Sequence, residues 1–201
     1  MFTRRFARHV AKRYRKRGLD RTARRMVDFL DRRGLEGKTV MEIGGGVGEI
    51  QIELVKRGAA SATSYELSSA YDAEAERLAR DAGLTGRLHR RLQDVAVDAE
   101  GVDAADVVVL HRVVCCYPDY ERLLGAAADL ARDALVFSHP PRNLVSRMIL
   151  GGQNLLFRLG GREFRTFAHP PDAMREVLRR HGLRPTYAHR GPVWQVVGAQ
   201  R

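Results

Sequence analysis

Glu42, Gly44, Gly46 and Gly48 sit at alternate positions where the apolar run Val40–Ile43 gives way to a helix pattern carrying Ile50, Leu54 and Val55. Residues without side chains at such a junction let the backbone approach a ligand closely. Three loop chemistries compete for the stretch. A phosphate loop needs GxxxxGK[ST], and no Lys-Ser/Thr follows these glycines. A dinucleotide fingerprint needs a third glycine three residues after the second, and that position is Glu49, a carboxylate where pyrophosphate would sit. What remains is an acid followed by three alternating glycines at the end of a first strand. Two further acids close strand-like segments: Glu66, where nucleotide folds place a carboxylate on ribose hydroxyls, and Asp94 in RRLQDVA.

In order and spacing these residues resemble motif I and the following acids of the class I S-adenosylmethionine-dependent methyltransferases, over roughly residues 20–201. The resemblance implies S-adenosyl-L-methionine as cofactor, with Glu42 taking its ammonium, Glu66 its ribose and Asp94 its adenine amino group. Gly44, Gly46 and Gly48 would then lie along its methionine part. The segment ADVVVLHRVVCCYPDYE matches the family's motif after the fourth strand: His111-Arg112 take the first pair, placing His111 against the cofactor, and Cys115-Cys116 replace two histidines. It is also similar to magnesium-protoporphyrin methyltransferases, whose His-Tyr-Pro becomes Cys116-Tyr117-Pro118.

Methyl transfer is an in-line displacement. Holding two reactants in line supplies up to about 7–11 kcal/mol, and a general base adds roughly 10²–10⁴-fold for a weak nucleophile. His111 is the first candidate base, His139 at the end of the fifth strand the second, and Tyr117 the third. The competing reading for each is a structural side chain at a strand end. Arg112 and Arg142 could meet an anionic substrate group, or be ordinary surface arginines. Cys115 and Cys116 are adjacent, with no CxxC and no second cluster, so no metal site is expected and they read as small apolar residues.

The elements that must position these groups alternate. Strands are expected at Val40–Ile43, Ala62–Leu67, Leu88–Leu92, Asp106–Leu110 and Ala134–Ser138, with helices at Tyr71–Ala82 and Tyr120–Ala131 between them. A last helix starts near Pro171-Asp172 and ends at Gly182, and a hairpin folds about Gly191-Pro192. This predicts an α/β three-layer sandwich: a Rossmann-like, seven-stranded, mostly parallel sheet with an antiparallel C-terminal hairpin strand. Leu144–Leu159 is an apolar segment expected to break at Gly151-Gly152. Within residues 142–168 it forms a candidate lid over the acceptor, with glycine pairs as hinges.

Phe2, Phe6, Val10 and Tyr14 recur every fourth residue, so residues 1–18 read as a basic amphipathic helix and residues 19–201 as the main domain; Asp20 caps a second helix. The formal charge is +11, and residues 1–33 hold thirteen Lys and Arg against three Asp, leaving only +1 for everything after them. That segment could meet an anionic partner or a membrane surface. The N-terminus lacks an apolar signal region, and adjacent cysteines cannot easily bridge, so a reducing cytoplasm fits. A small-molecule acceptor is favoured. The alternatives are an RNA methyltransferase gripping nucleic acid through its basic segment, a non-catalytic adenosylmethionine sensor, or a membrane-associated protein. The HPPR after the fifth strand lacks the amide and the aromatic residue of the box typical of base-amino methylases.

Overall fold

The computed structural model describes residues 3–161 and 164–201; Phe2, expected on the first helix, lies outside them, as do Arg162 and Glu163 within the candidate lid. Two helices lead the chain, α1 (Arg4–Arg17) and α2 (Arg21–Asp31). Thr3 caps α1 by accepting from the Phe6 N–H, and Gly18 at φ 66° ends it. Asp20 caps α2 by accepting from the N–H groups of Thr22 and Ala23.

Alternation then begins: β1 (Thr39–Ile43), α3 (Glu49–Lys56), β2 (Ser61–Glu66), α4 (Asp72–Asp81), β3 (Leu88–Leu92), β4 (Ala105–Leu110), α5 (Tyr120–Asp129) and β5 (Ala131–His139). After β5 come α6 (Leu144–Leu159), α7 (Pro171–Arg180), β6 (Arg184–Arg190) and β7 (Gln195–Gln200). The seven strands form one sheet in the order β3-β2-β1-β4-β5-β7-β6. The first five run parallel, and β7 pairs antiparallel with both β5 and β6.

Both faces of the central strands are buried, which is why VVVL and ALVFS read as continuous apolar runs. Val40, Val107, Val109 and Val136 face the core beneath α2 and α3, whereas Met41, Val108, Leu110 and Phe137 face the core beneath α5 and α7. On α1 the fully buried residues are Ala7 and Ala11, with Val10 and Tyr14 packed beside them. Phe6 stays half-exposed, its ring edge-on to Tyr71 with centroids 6.5 Å apart. The small alanines let α1 lie close to its neighbours.

One expectation fails. α6 runs unbroken through Gly151-Gly152. Neither glycine has positive φ, and each costs a helix only about 1 kcal/mol relative to alanine, which the surrounding Leu, Met and Arg positions tolerate. The chain turns instead at Gly160-Gly161, with Gly161 at φ 66°.

Candidate functional site

Glu42, Gly44, Gly46, Gly48, Glu66, Asp94, His111, Tyr117 and His139 lie at the carboxyl edge of the parallel strands, where open α/β sheets bind ligands. Glu42, one residue before the end of β1, is in register with Ser64 on β2, so both side chains emerge on the α3 side. Glu42, Ser64 and Gln51 of α3 are all buried, and among the described residues Glu42 Oε2, Ser64 Oγ and Gln51 Nε2 meet no partner at hydrogen-bond geometry, although Gln51 lies close enough to favour the charged form of Glu42. The three atoms converge on Gly45, at 2.7–2.8 Å from where a β-carbon would stand. Burial, and then the nearby Glu49 carboxylate, push the Glu42 carboxyl well above the ordinary glutamate value. Burying this carboxyl is costly unless it is protonated or paired.

The next residue, Gly46, is held at both its N–H and its carbonyl. Glu66 accepts a short hydrogen bond from the Gly46 N–H, and Arg90 of β3 donates to the Gly46 carbonyl at 2.8 Å and to Asp72 at 2.6 Å. Burial raises the Glu66 pKa, with the Gly46 N–H and Arg90 opposing it. Gly44 (φ 69°) and Gly46 (φ 56°) adopt backbone that favours glycine, and a β-carbon on Gly44 would collide with Val113. Gly48, at φ 82°, starts α3.

Asp94 accepts from the Ala96 N–H at 3.0 Å and from the Tyr117 hydroxyl at 3.1 Å. Burial and then the Asp94 carboxylate hold the Tyr117 phenol above its ordinary pKa, so it stays protonated at neutral pH. The structure thus brings Tyr117 to the acid after β3. His169 joins the same corner through the Tyr117 carbonyl at 3.0 Å.

His111 and His139 differ in what their nitrogens do. The Ser138 hydroxyl accepts from the Arg112 N–H at 2.9 Å, and its own proton, otherwise unplaced, goes to His111 Nδ1 at 3.0 Å. With that arrangement the ring proton lies on His111 Nε2, which faces Asp20 at 3.7 Å. The ring is engaged at both ends, and burial lowers its pKa. On His139, Nδ1 lies 2.9 Å from the Pro140 carbonyl and must be the N–H that donates to it. Its Nε2 is buried with a free lone pair. Burial also lowers this pKa, with the charge of Arg175 acting in the same direction, so His139 is neutral at pH 7.

Arg112 is the only non-glycine residue at positive φ (60°) among the described residues, a strained position right after β4. Its guanidinium pairs with Asp20 at 2.7 Å and lies 4.9 Å from the Trp194 ring centroid. Burial alone would raise the Asp20 pKa. Contact with His111, the Ala23 N–H and the Arg112 charge together hold it well below the usual carboxylate range. Sequence reading took Asp20 only as a helix cap and gave no role to Arg90, Gln51, Ser64, Ser138 or Trp194. The buried serines and glutamine carried no motif, although a polar residue inside an apolar strand was itself a signal. Arg142 is exposed in the turn before α6, whereas Cys115 and Cys116 are free thiols with sulfurs 3.6 Å apart.

Two open clefts lie elsewhere. One, of about 490 Å³, runs along the sheet face at Met41, Thr63, Tyr65 and His89, and another, of about 280 Å³, lies by Arg33 and Lys38 at the amino edge. Neither touches the residues above, whose convergence rests on geometry and buried polarity.

A glycine loop between two carboxylate-ended strands, in a seven-stranded sheet with this order, defines a nucleoside-binding α/β enzyme fold. Residues 8–188 match the family model described as a methyltransferase domain, and the chain belongs to that family. Among solved structures it is similar to the magnesium protoporphyrin IX methyltransferase of Synechocystis with S-adenosylhomocysteine bound, at 23% identity, 90% of this chain, 82% of that one and a TM-score of 0.71. An O-methyltransferase family protein of Burkholderia thailandensis matches at 22% identity, 90% of this chain and 56% of that one, TM-score 0.71. An O-methyltransferase family 2 protein of Planctomyces limnophilus, in complex with apigenin, matches at 16%, 97% and 61%, TM-score 0.72. At these identities the likeness is one of fold. No curated protein matches the sequence.

Proposed function

We propose that this chain transfers a methyl group from S-adenosyl-L-methionine to a small-molecule acceptor by in-line displacement. The observation that carries the reading is the unpaired, buried Glu42 carboxyl beside a glycine loop gripped by Glu66 and Arg90. That donor set suits a cation carrying a nucleoside and has no place for a diphosphate. Glu42 would hold the ammonium, Glu66 the ribose through its oxygen not bound to Gly46, and Asp94 the adenine amino group. The backbone at His111-Arg112 would border the methionine end. When bound, the donor supplies a methyl group already activated on a sulfonium.

The chain's own residues then orient the acceptor and exclude water. The free lone pair of His139 Nε2 makes it the base that takes the acceptor's proton, while His111, proton on Nε2 toward Asp20, fixes the exit of β4. The described parts of the segment, 142–161 and 164–168, would cover the acceptor side; in support, Asn154 binds Thr166 through both its amide atoms, and the Phe167 N–H donates to the Cys115 carbonyl at 2.7 Å. A small acceptor is supported by the porphyrin and flavonoid named for two of the fold neighbours. The two free cysteines suit a reducing cytoplasm. Calorimetric titration tests the reading: S-adenosylmethionine and S-adenosylhomocysteine are expected to bind and NAD and ATP not to. The reverse pattern refutes it.

A further inference from the structure

α6 is amphipathic the wrong way round. At about 100° per residue, Leu144, Met148, Ile149, Leu155, Leu156 and Leu159 fall within an arc of about 140°. That arc faces away from the protein: Leu144 is 72%, Met148 69%, Leu156 70% and Leu159 76% exposed. The opposite arc, which faces the protein, holds Ser146, Gln153 and Asn154 with only Leu150 and Phe157 among them. The helix cannot roll its apolar arc inward without breaking the paired Asn154–Thr166 hydrogen bonds, both 2.8 Å. An exposed apolar stripe of this extent marks an interaction surface.

Charge decides what covers it. Arg147 and Arg158 flank one edge of the stripe, Arg142 precedes it, and residues 139–161 contain no acid. A second copy of the chain would bring two more arginines to the same acid-free face. A surface of phosphates supplies the complement, with long arginine stems reaching out of the apolar layer to meet it. The helix, at 16 residues, is about 24 Å long, and no helix among the described residues is long and apolar enough to cross a membrane. A helix of this length with a one-sided apolar arc suits the surface of a bilayer rather than its interior.

We propose that α6 docks this protein on an anionic lipid bilayer, its leucine arc in the headgroup–acyl boundary and Arg147 and Arg158 against lipid phosphates. This surface is separate from the basic residues 1–33 and stands independently of the methyltransferase reading. The test is co-sedimentation of the full chain with phosphatidylcholine vesicles containing or lacking 30% phosphatidylglycerol. Partition onto the anionic vesicles is expected to fall at least tenfold in Met148→Glu/Leu155→Glu, and several-fold in Arg147→Glu/Arg158→Glu. Leu156→Ser, a milder change at an exposed position, should weaken it measurably with the circular dichroism spectrum unchanged. An Arg8→Glu/Lys12→Glu variant should retain the dependence on α6. No partition, or partition within twofold of the parent in the α6 variants, overturns the proposal. So does light scattering that finds a dimer which Met148→Glu/Leu155→Glu dissolves, since a second copy then covers the arc. Titration with S-adenosylmethionine on the same samples reports on the donor site separately.

Discussion

Glu42→Gln separates binding from packing because the two effects have opposite signs. The substitution keeps the shape of the side chain and removes only the charge. Glu42 is 2% exposed and its pKa is raised by burial, so folding takes up protons here. A group whose folded pKa is raised contributes stability below its unfolded value, and that contribution is lost as pH rises through the folded value. At neutral pH the glutamine should therefore leave the ligand-free protein as stable as the parent or more so. Donor binding should move the other way. A charge-assisted hydrogen bond contributes about 1.5–3 kcal/mol, so losing it weakens binding roughly 10–150-fold. Where Glu42 begins protonated, an arriving ammonium expels that proton. Calorimetry in buffers of different ionisation enthalpy should then count up to about one proton released per donor bound by the parent and none by Glu42→Gln. Binding within threefold of the parent, or a fall in urea stability with proton release intact, would show the carboxyl to be structural and refute the reasoning.

Gly45→Ala places a methyl 2.7–2.8 Å from three buried polar atoms, and overpacking of this kind costs about 1–3 kcal/mol. The melting temperature should fall by roughly 2–12 °C, and donor affinity with it; Gly86→Ala, in open space and at ordinary φ like Gly45, serves as the control for adding a methyl without neighbours. His139→Gln should lower turnover about 10²–10⁴-fold, whereas His111→Gln should chiefly lower stability. Because burial and Arg175 lower the His139 pKa, parent turnover should rise through a pH below the ordinary histidine value and level off above it, a limb that His139→Gln abolishes. Asp20→Asn keeps a helix cap but loses the charge facing Arg112, so unfolding at pH 7 should become easier by about 1–2 kcal/mol. The difference between parent and variant should vanish as pH falls below the unfolded aspartate value toward the depressed folded one.

The carboxyl-edge arrangement was legible because it follows from local pattern. Apolar runs fixed the strands, an acid stood at or one residue before the end of β1 and β2, and glycines fell where the backbone turns. Leu88–Leu92 emerged at the expected bounds despite its two arginines, and one of these, Arg90, proved to hold the loop. What stayed hidden depends on residues far apart in sequence. Gly45 looked like filler between alternating glycines until Gln51 and Ser64 were seen closing on it. The unequal chemistry of His111 and His139 is set by the Ser138 hydroxyl and the Pro140 carbonyl, which no spacing rule reads. In α6, hydrophobicity was visible but its direction was not, because direction depends on which arc Asn154 ties down.

Asp20 and Arg112 meet across 92 residues of chain, one the first cap of α2 and the other the strained exit of β4. A slip of α2 by a single turn would strand the guanidinium over Trp194 without a counter-ion, at a backbone position already held against its preference. The seating of the N-terminal helices is thus specified to the residue by an electrostatic lock, where greasy contacts alone would tolerate sliding. Length changes in the connection between α1 and α2 would be felt at the exit of β4 before they were felt in the core.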